Sequence, residues 1–127
     1  MKISHIALYT TELERSRAFY ERYFGGTANS LYHNPRTGLR TYFLSFGDGA
    51  RLELMQHPSC TGTENGEFAC GFTHLAFSTG SRSEVDALTA QLAADGYAVV
   101  GQPRTTGDGY YESVVLDPDG NRIEITE

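Results

Sequence analysis

Residues 3–10 read ISHIALYT, and residues 72–79 read FTHLAFST. A second match joins residues 48–54, which read DGARLEL, to residues 119–125, which read DGNRIEI. The histidines of the first match are 69 residues apart, and the glutamates of the second are 71 residues apart. Because both matches recur at nearly the same spacing, the chain reads as two copies of one structural unit.

Each copy continues with a helix. A capping-box pattern follows the opening stretch, Thr11-x-x-Glu14 in the first copy and Ser81-x-x-Glu84 in the second, and predicts where the helices begin. Glycines at 25–26 and at 96 predict where they end. Apolar residues recur between these points at helical spacings. They are Leu13, Phe19, Tyr20, Tyr23 and Phe24 in the first copy and Val85, Leu88, Leu92 and Ala93 in the second.

Strand-like runs complete each copy. Two hairpins are predicted, one from residues 41–46 and 51–56 and one from residues 112–117 and 121–126. Weaker strand signals lie at 28–33 and 97–102. The sequence therefore predicts an α+β fold of two paired βαβββ modules in a single domain. The modules comprise about residues 1–57 and 71–127, and a polar connector spans 58–70.

Alternation along the strands places one histidine and one glutamate of each copy on the same sheet face. Residues two apart in a strand share a face, so His5 points away from its apolar neighbours, which we expect to pack on the helix. Glu53 does the same in the closing strand, and His74 and Glu124 occupy the matching positions of the second copy. If the two modules pair, their open faces form a curved sheet around a cleft.

Two imidazoles and two carboxylates together form a set of metal ligands. They suit Zn and Ni, with Co, Mn or Fe as alternatives, and the two carboxylates offset the charge of a divalent ion. Four protein ligands on an octahedral ion leave two positions for substrate oxygens. A single strand histidine is usually structural, but the recurrence favours a metal site, since two buried carboxylates without a cation are costly. We expect one divalent ion per site, held by His5, Glu53, His74 and Glu124.

The pattern resembles the vicinal oxygen chelate superfamily, and its glyoxalase I-like branch in particular. Residues 116–124, LDPDGNRIE, resemble the D-P-D-G-x-x-I-E signature of that family, and the resemblance covers essentially the whole chain. It implies a lactoylglutathione lyase-like enzyme in which the metal binds two neighbouring substrate oxygens and stabilises an enediolate as a proton leaves carbon. It also implies Glu124 as the catalytic base, with Glu53 as the other candidate.

The sequence departs from the glutathione-using glyoxalases at two positions. Those enzymes carry an arginine four residues after the first histidine and an asparagine four residues after the first ligand glutamate, where this chain has Tyr9 and His57. A tyrosine cannot replace the charge-assisted contact of an arginine with a peptide carboxylate. We therefore expect a lyase or isomerase whose substrate is a small α-hydroxy carbonyl or a thiohemiacetal of a thiol other than glutathione.

Four residues are candidates for substrate contact. We expect Tyr9 and Met55 to line the cleft wall, and Tyr110 and Tyr111 to offer phenols from a glycine-flanked loop. The alternative for that loop, residues 107–112, is a simple turn.

Two arginines and two histidines are not predicted to be metal ligands. Arg51 and Arg122 share faces with the two glutamates, and we expect them to be solvated at the rim, with contact to an anionic substrate as the alternative. His33 and His57 have no counterpart in the repeat, so we expect surface residues or substrate contacts rather than metal ligands.

Two other functions remain open, because one fold hosts many activities. Bleomycin-resistance relatives sequester a drug without metal chemistry, and extradiol dioxygenases use ferrous iron, usually with two histidines and one glutamate. The fourth ligand here favours the isomerase-like branch. Neither alternative is removed by the sequence alone.

Composition limits the partners. Ten basic residues against 16 acidic ones give a formal charge of -6, with no basic block, which disfavours nucleic acids and membrane surfaces. No apolar run is long enough to cross a membrane. We expect a cytoplasmic homodimer that binds a small molecule, with Cys60 and Cys70 as reduced thiols.

Overall fold

The computed structural model describes residues 3–47, 49–61, 72–107 and 109–127. The chain divides into two compact units, Met1–Thr63 and Glu64–Glu127. The boundary falls within the predicted connector, of which residues 62–70 lie outside the described residues, as does Cys70 with its predicted free thiol. None of the helices within the described ranges is both long and apolar enough to cross a membrane.

The first unit contains one helix and one mixed sheet. Its elements are β1 (His5–Tyr9), α1 (Leu13–Phe24), β2 (Thr27–Ala28), β3 (Tyr32–His33), β4 (Arg40–Ser45) and β5 (Arg51–Gln56). The strand order is β1-β5-β4-β2, with β3 also pairing with β4. β1 and β5 are parallel, and the remaining pairs are antiparallel.

The weak strand predicted at 28–33 forms only two short segments, β2 and β3. The reason lies at Asn29, whose backbone N–H donates to the carbonyl of Phe43 while its side-chain Oδ1 accepts from the Phe43 N–H at 2.8 Å. The side chain takes the place of a backbone carbonyl there, so the regular ladder stops.

The second unit repeats the plan. Its elements are β6 (Leu75–Ser78), α2 (Arg82–Ala94), β7 (Val99–Thr105), β8 (Tyr111–Leu116) and β9 (Arg122–Thr126). The strand order is β6-β9-β8-β7, with β6 and β9 parallel and the other pairs antiparallel. β7 begins and ends two to three residues later than the predicted strand at 97–102. The predicted α+β class is confirmed.

The duplication extends to the strand register. Ile6 pairs with Leu52 in the first unit, and Leu75 pairs with Ile123 in the second. The N–H of Thr10 donates to the carbonyl of Met55 at 2.8 Å, and that of Thr79 donates to the carbonyl of Thr126 at 2.8 Å. Equivalent residues of the two units are 69 positions apart in the opening strands and 71 positions apart in the closing strands, as in the sequence matches. The backbone pairing is therefore repeated together with the sequence.

Each helix covers one face of its own sheet. The buried core residues are Leu13, Phe19, Tyr20, Tyr23, Tyr42, Leu44, Leu52 and Leu54 in the first unit and Val85, Leu92, Val114, Val115, Ile123 and Ile125 in the second. Burial of one such side chain stabilises the fold by about 1.5–3 kcal/mol. Phe24 and Leu88 are half-buried, and Ala93 is exposed.

The helix ends agree with the glycine signals, but only one capping box forms. Ser81 is the N-cap of α2, and its Oγ accepts from the Glu84 N–H at 3.3 Å. The box at Thr11 is wrong, because α1 begins at Leu13 with Glu12 as N-cap and no side-chain cap bond. Instead, the Glu12 N–H donates to the hydroxyl of Thr10, a buried residue that directly follows β1.

Candidate functional site

A histidine and a glutamate meet on the open sheet face of the first unit. His5 begins β1 and is in register with Arg51 on the parallel strand β5, so Glu53 lies two residues further along β5 on the same face. His5 Nε2 and Glu53 Oε2 are 3.8 Å apart.

The second unit contains the same arrangement. Glu124 of β9 is in register with Ala76 of β6, and His74 immediately precedes β6. His74 Nε2 and Glu124 Oε2 are 3.4 Å apart. The side-chain exposures also match, at 41% and 42% for the histidines and 16% and 17% for the glutamates. Each pair therefore combines a largely shielded carboxylate with an accessible imidazole.

Strand alternation holds the glutamates on this face. The neighbours of Glu53 in β5, Leu52 and Leu54, are 3% and 1% exposed because they pack under α1. The neighbours of Glu124, Ile123 and Ile125, are both fully buried. Turning either glutamate to the helix side would expose two core residues, so the core fixes the direction of each carboxylate.

The D-P-D-G-N segment fixes where β9 begins. Asp117 is 5% exposed, and its Oδ1 accepts from the N–H groups of Asp119 and Asn121 at 2.9 and 2.8 Å. Its Oδ2 accepts from Asn121 Nδ2 at 2.8 Å, and Gly120 adopts a positive φ of 84°. The segment is thus a carboxylate-centred turn that sets the register of Glu124.

The donor chemistry of the pairs fits a divalent metal ion. Ligand nitrogen and oxygen atoms lie about 2.0–2.2 Å from a zinc ion, which places two neighbouring ligands of one ion about 3–3.5 Å apart. The pair distance of 3.4 Å falls in that range, and that of 3.8 Å lies slightly above it. Within the part of the chain that the structure describes, no group of three or more His, Cys, Asp or Glu side chains is placed to hold a metal. Convergence of all four residues therefore stays a prediction.

An aromatic contact distinguishes the first pair from the second. The ring of Phe43 packs edge-on against the ring of His5, with centroids 5.3 Å apart and planes at 80°. Phe43 lies opposite Glu53 in the hairpin, whereas Val114 holds the corresponding place opposite Glu124. Phe43 is not among the site residues predicted from the sequence, although the register of the predicted hairpin places residue 43 opposite residue 53.

Three of the four residues predicted to contact substrate lie where a ligand could reach them. Tyr9 and Met55 lie on the open sheet face, and Tyr110 lies in an exposed turn. Tyr9 is in register with Met55 on the face that carries His5, and Tyr9 is 56% exposed. Tyr110 is 58% exposed in the turn between β7 and β8, where its carbonyl accepts from the Thr106 N–H at 2.8 Å. Asp108 of this loop lies outside the described residues, and the contact of Tyr110 with substrate stays a prediction.

The placement of Tyr111 departs from the prediction. Three positions before Val114, it lies on the opposite face of β8, where its hydroxyl donates to Asp86 Oδ1 of α2 at 2.7 Å. That hydrogen bond, together with burial, raises the pKa of the Tyr111 hydroxyl. Its phenol therefore ties helix to sheet and does not face the side of the His74–Glu124 pair.

The first unit also contains an open pocket of about 350 Å³, lined in part by Arg40, Gln56, His57 and Cys60. Arg40 Nη1 donates to Gln56 Oε1 at 3.3 Å, and His57 Nδ1 accepts from the Ser59 N–H at 3.1 Å. The sequence predicts His57 as a surface residue or a substrate contact, and the structure places it in the lining of this pocket.

Comparison with curated proteins identifies relatives of similar length. The uncharacterized protein YqjT of Bacillus subtilis (strain 168) is 29% identical over 129 residues, covering 95% of this chain and 94% of that protein. Lactoylglutathione lyase of Salmonella typhimurium is 24% identical over 127 residues, covering 100% of this chain and 93% of that enzyme.

A solved structure shares the fold. Glyoxalase I from Zea mays matches 98% of this chain with a TM-score of 0.82 and 22% identity, and this chain spans only 44% of the maize chain. The sequence model of the Glyoxalase/Bleomycin resistance protein/Dioxygenase superfamily matches residues 2–125. Because that match extends over nearly the entire chain, the protein belongs to the glyoxalase/bleomycin resistance protein/dioxygenase superfamily.

Proposed function

We propose that the protein is a metal-dependent lyase or isomerase of the glyoxalase I type that acts on a small oxygenated substrate. The observation that supports this most is the repeated His–Glu pair. The same two atoms, Nε2 and Oε2, approach to 3.8 Å in one unit and 3.4 Å in the other, with matching exposure. Two unrelated surface contacts have no physical reason to recur at matched positions with matched burial.

In this proposal His5, Glu53, His74 and Glu124 hold one divalent ion, with Zn or Ni as the first candidates. Two neutral imidazoles and two carboxylates balance the charge of a dication. When bound, the ion would act as a Lewis acid that polarises two neighbouring substrate oxygens. The proposal holds whether the two pairs that share an ion belong to one chain or to two copies of a homodimer.

The chemical step in this proposal is a proton transfer between adjacent carbons. Glu124 removes the proton from the carbon beside the carbonyl and returns it to the neighbouring carbon, so no oxidant or reductant is consumed. Its carboxylate is largely shielded from bulk water, being 17% exposed. Glu53, in the equivalent position of the first unit, is the alternative base.

We propose that glutathione is not the carrier thiol. The similarity to a lactoylglutathione lyase supports the reaction class. However, an exposed, uncharged Tyr9 stands where the glutathione-using enzymes carry the arginine noted above, and a phenol provides no charge-assisted contact for a peptide carboxylate. A different thiol adduct or a thiol-free α-hydroxy carbonyl fits this face better.

Metal content tests the ligand assignment. Protein purified without chelator is expected to contain a divalent ion. His5→Ala, Glu53→Gln, His74→Ala and Glu124→Gln should each lose it. His33→Ala, which changes an exposed histidine of β3, is the matched control and should keep it. Retention of the ion by all four variants would exclude this ligand set.

Activity is tested by proton exchange. Thiohemiacetals of methylglyoxal with several thiols, and α-hydroxy carbonyls, are incubated in deuterated water with each metal restored in turn. We expect deuterium incorporation at the carbon beside the carbonyl, which Glu124→Gln or Glu53→Gln abolishes. Tight binding of a drug by metal-free protein would support sequestration instead, and oxygen uptake with catechols and ferrous iron would support a dioxygenase.

A further inference from the structure

Arg51 stands beside the His5–Glu53 pair. It is the first residue of β5, it is in register with His5 on β1, and it shares the open face with Glu53 two residues later. Its guanidinium lies over the ring of Phe43, with Cζ 4.6 Å from the ring centroid. The same ring packs against His5, so Phe43 contacts both the cation and the imidazole.

The guanidinium of Arg51 forms no ion pair with any carboxylate in the part of the chain that the structure describes. Other arginines of this chain form ion pairs, such as Arg17 with Glu14 at 3.2 Å and Arg82 with Glu127 at 3.2 Å. Among the residues that the structure describes, no carboxylate lies within 4.0 Å of the Arg51 guanidinium. An aromatic face holds a guanidinium without occupying its N–H donors. In a chain with a formal charge of -6, this cation is oriented by a ring and left open to an anion.

The residue opposite the glutamate differs between the two units. Arg122 is the sequence counterpart of Arg51, but the register position that Phe43 holds is occupied in the second unit by Val114. The repeat therefore conserves the His–Glu pair and differs in the ring beside it.

We propose that Arg51 binds a carboxylate group of the substrate, which makes the substrate an anionic, α-oxygenated small molecule. This inference rests on the proposed function. Arg51 and Glu53 are about 7 Å apart along the strand, a span that one small molecule bridges with its carboxylate at one end and its vicinal oxygens at the other. The planar fork of the guanidinium matches a carboxylate. Phe43 limits the side-chain entropy lost when the anion binds.

Binding of two matched probes tests the proposal. Hydroxypyruvate and hydroxyacetone share the α-hydroxy ketone, and only hydroxypyruvate carries a carboxylate. Their dissociation constants are measured by calorimetry on metal-free and nickel-loaded protein. We expect Arg51→Gln to weaken hydroxypyruvate binding about tenfold in both forms and to leave hydroxyacetone binding unchanged. Phe43→Leu, which keeps bulk without the ring, should weaken hydroxypyruvate binding about threefold.

Arg36→Gln is the matched control, since Arg36 is another exposed arginine of the first unit with no ion pair to a described residue. It should leave both probes unaffected. The proposal is overturned if wild-type protein shows no preference for hydroxypyruvate, or if Arg51→Gln weakens both probes equally or neither. Metal content is measured on the same samples. A wild-type protein without metal contradicts the proposed function, while the metal-free titrations still decide the role of Arg51.

Discussion

At the scale of single residues, the position of the site depends on polar side chains that lie outside it. Asp117 is the main example, because one buried carboxylate accepts hydrogen bonds from Asp119 and Asn121 and thereby starts the strand that carries Glu124. Hydrogen bonds to a charged acceptor are stronger than neutral ones, and unpaired N–H groups at a buried turn are costly.

We expect Asp117→Ala to lower the free energy of unfolding by about 1–3 kcal/mol, since it leaves the partly buried N–H donors of Asp119 and Asn121 unpaired. Urea denaturation followed by circular dichroism measures this loss. Asp117→Asn keeps one acceptor oxygen and should cost less than half as much. Equal stability of Asp117→Ala and the wild type would show that water replaces the carboxylate without cost.

Tyr42 predicts a dependence of stability on alkaline pH. Burial, and then its hydrogen bond to Glu14 Oε1 at 2.9 Å, raises the pKa of the Tyr42 hydroxyl above its ordinary value of 10.0. The folded state thus favours the neutral phenol. Its contribution to stability is fully present below pH 10, the unfolded pKa, and is lost as pH rises through the higher folded pKa.

Tyr42→Phe is the matched variant, because it removes the titrating group and keeps the ring. Between pH 8 and 11 the free energy of unfolding of the wild type should fall more steeply than that of Tyr42→Phe, with the difference appearing only above about pH 10. Parallel curves for the two proteins over this range would contradict the assignment.

At the scale of elements, the two helices illustrate what local sequence patterns can predict. Both end at a glycine with positive φ, Gly25 at 67° and Gly96 at 90°, as the sequence indicates. Only α2 begins at its predicted cap. The start of α1 depends on Thr10, whose N–H is held by Met55, 45 residues away in β5. A contact of that kind lies outside any local pattern.

Gly25→Ala should lower the free energy of unfolding by about 1 kcal/mol. A methyl group there would contact nothing within 4 Å, so the cost arises from the left-handed backbone alone. Gly107→Ala is the control, because that glycine is equally open and has no positive φ. Thermal unfolding of both variants measures the difference, and an equal change in both would contradict a purely conformational cost.

At the scale of the whole molecule, the proposed metal site links stability to both sequence repeats. Saturating nickel or zinc at about 100 times the dissociation constant should stabilise the wild type by about 2.7 kcal/mol. His5→Ala and His74→Ala should each abolish this stabilisation, because one ion needs ligands from both repeats. Thermal unfolding with and without metal measures the effect, and His33→Ala serves as the control. Loss of only half the effect in each variant would indicate two independent sites.

The sequence by itself determined the duplication, the α+β class and the open-face direction of His5, Glu53, His74 and Glu124. These features follow from local periodicity, since a strand alternates every two residues and the repeat reproduces the alternation. The tertiary structure alone decided that Phe43 contacts both His5 and Arg51, that Tyr111 bonds to Asp86 on the helix side, and that α1 begins after Thr10. Each of those outcomes depends on register between strands or on contacts between residues far apart in the chain, and periodicity carries no information about either.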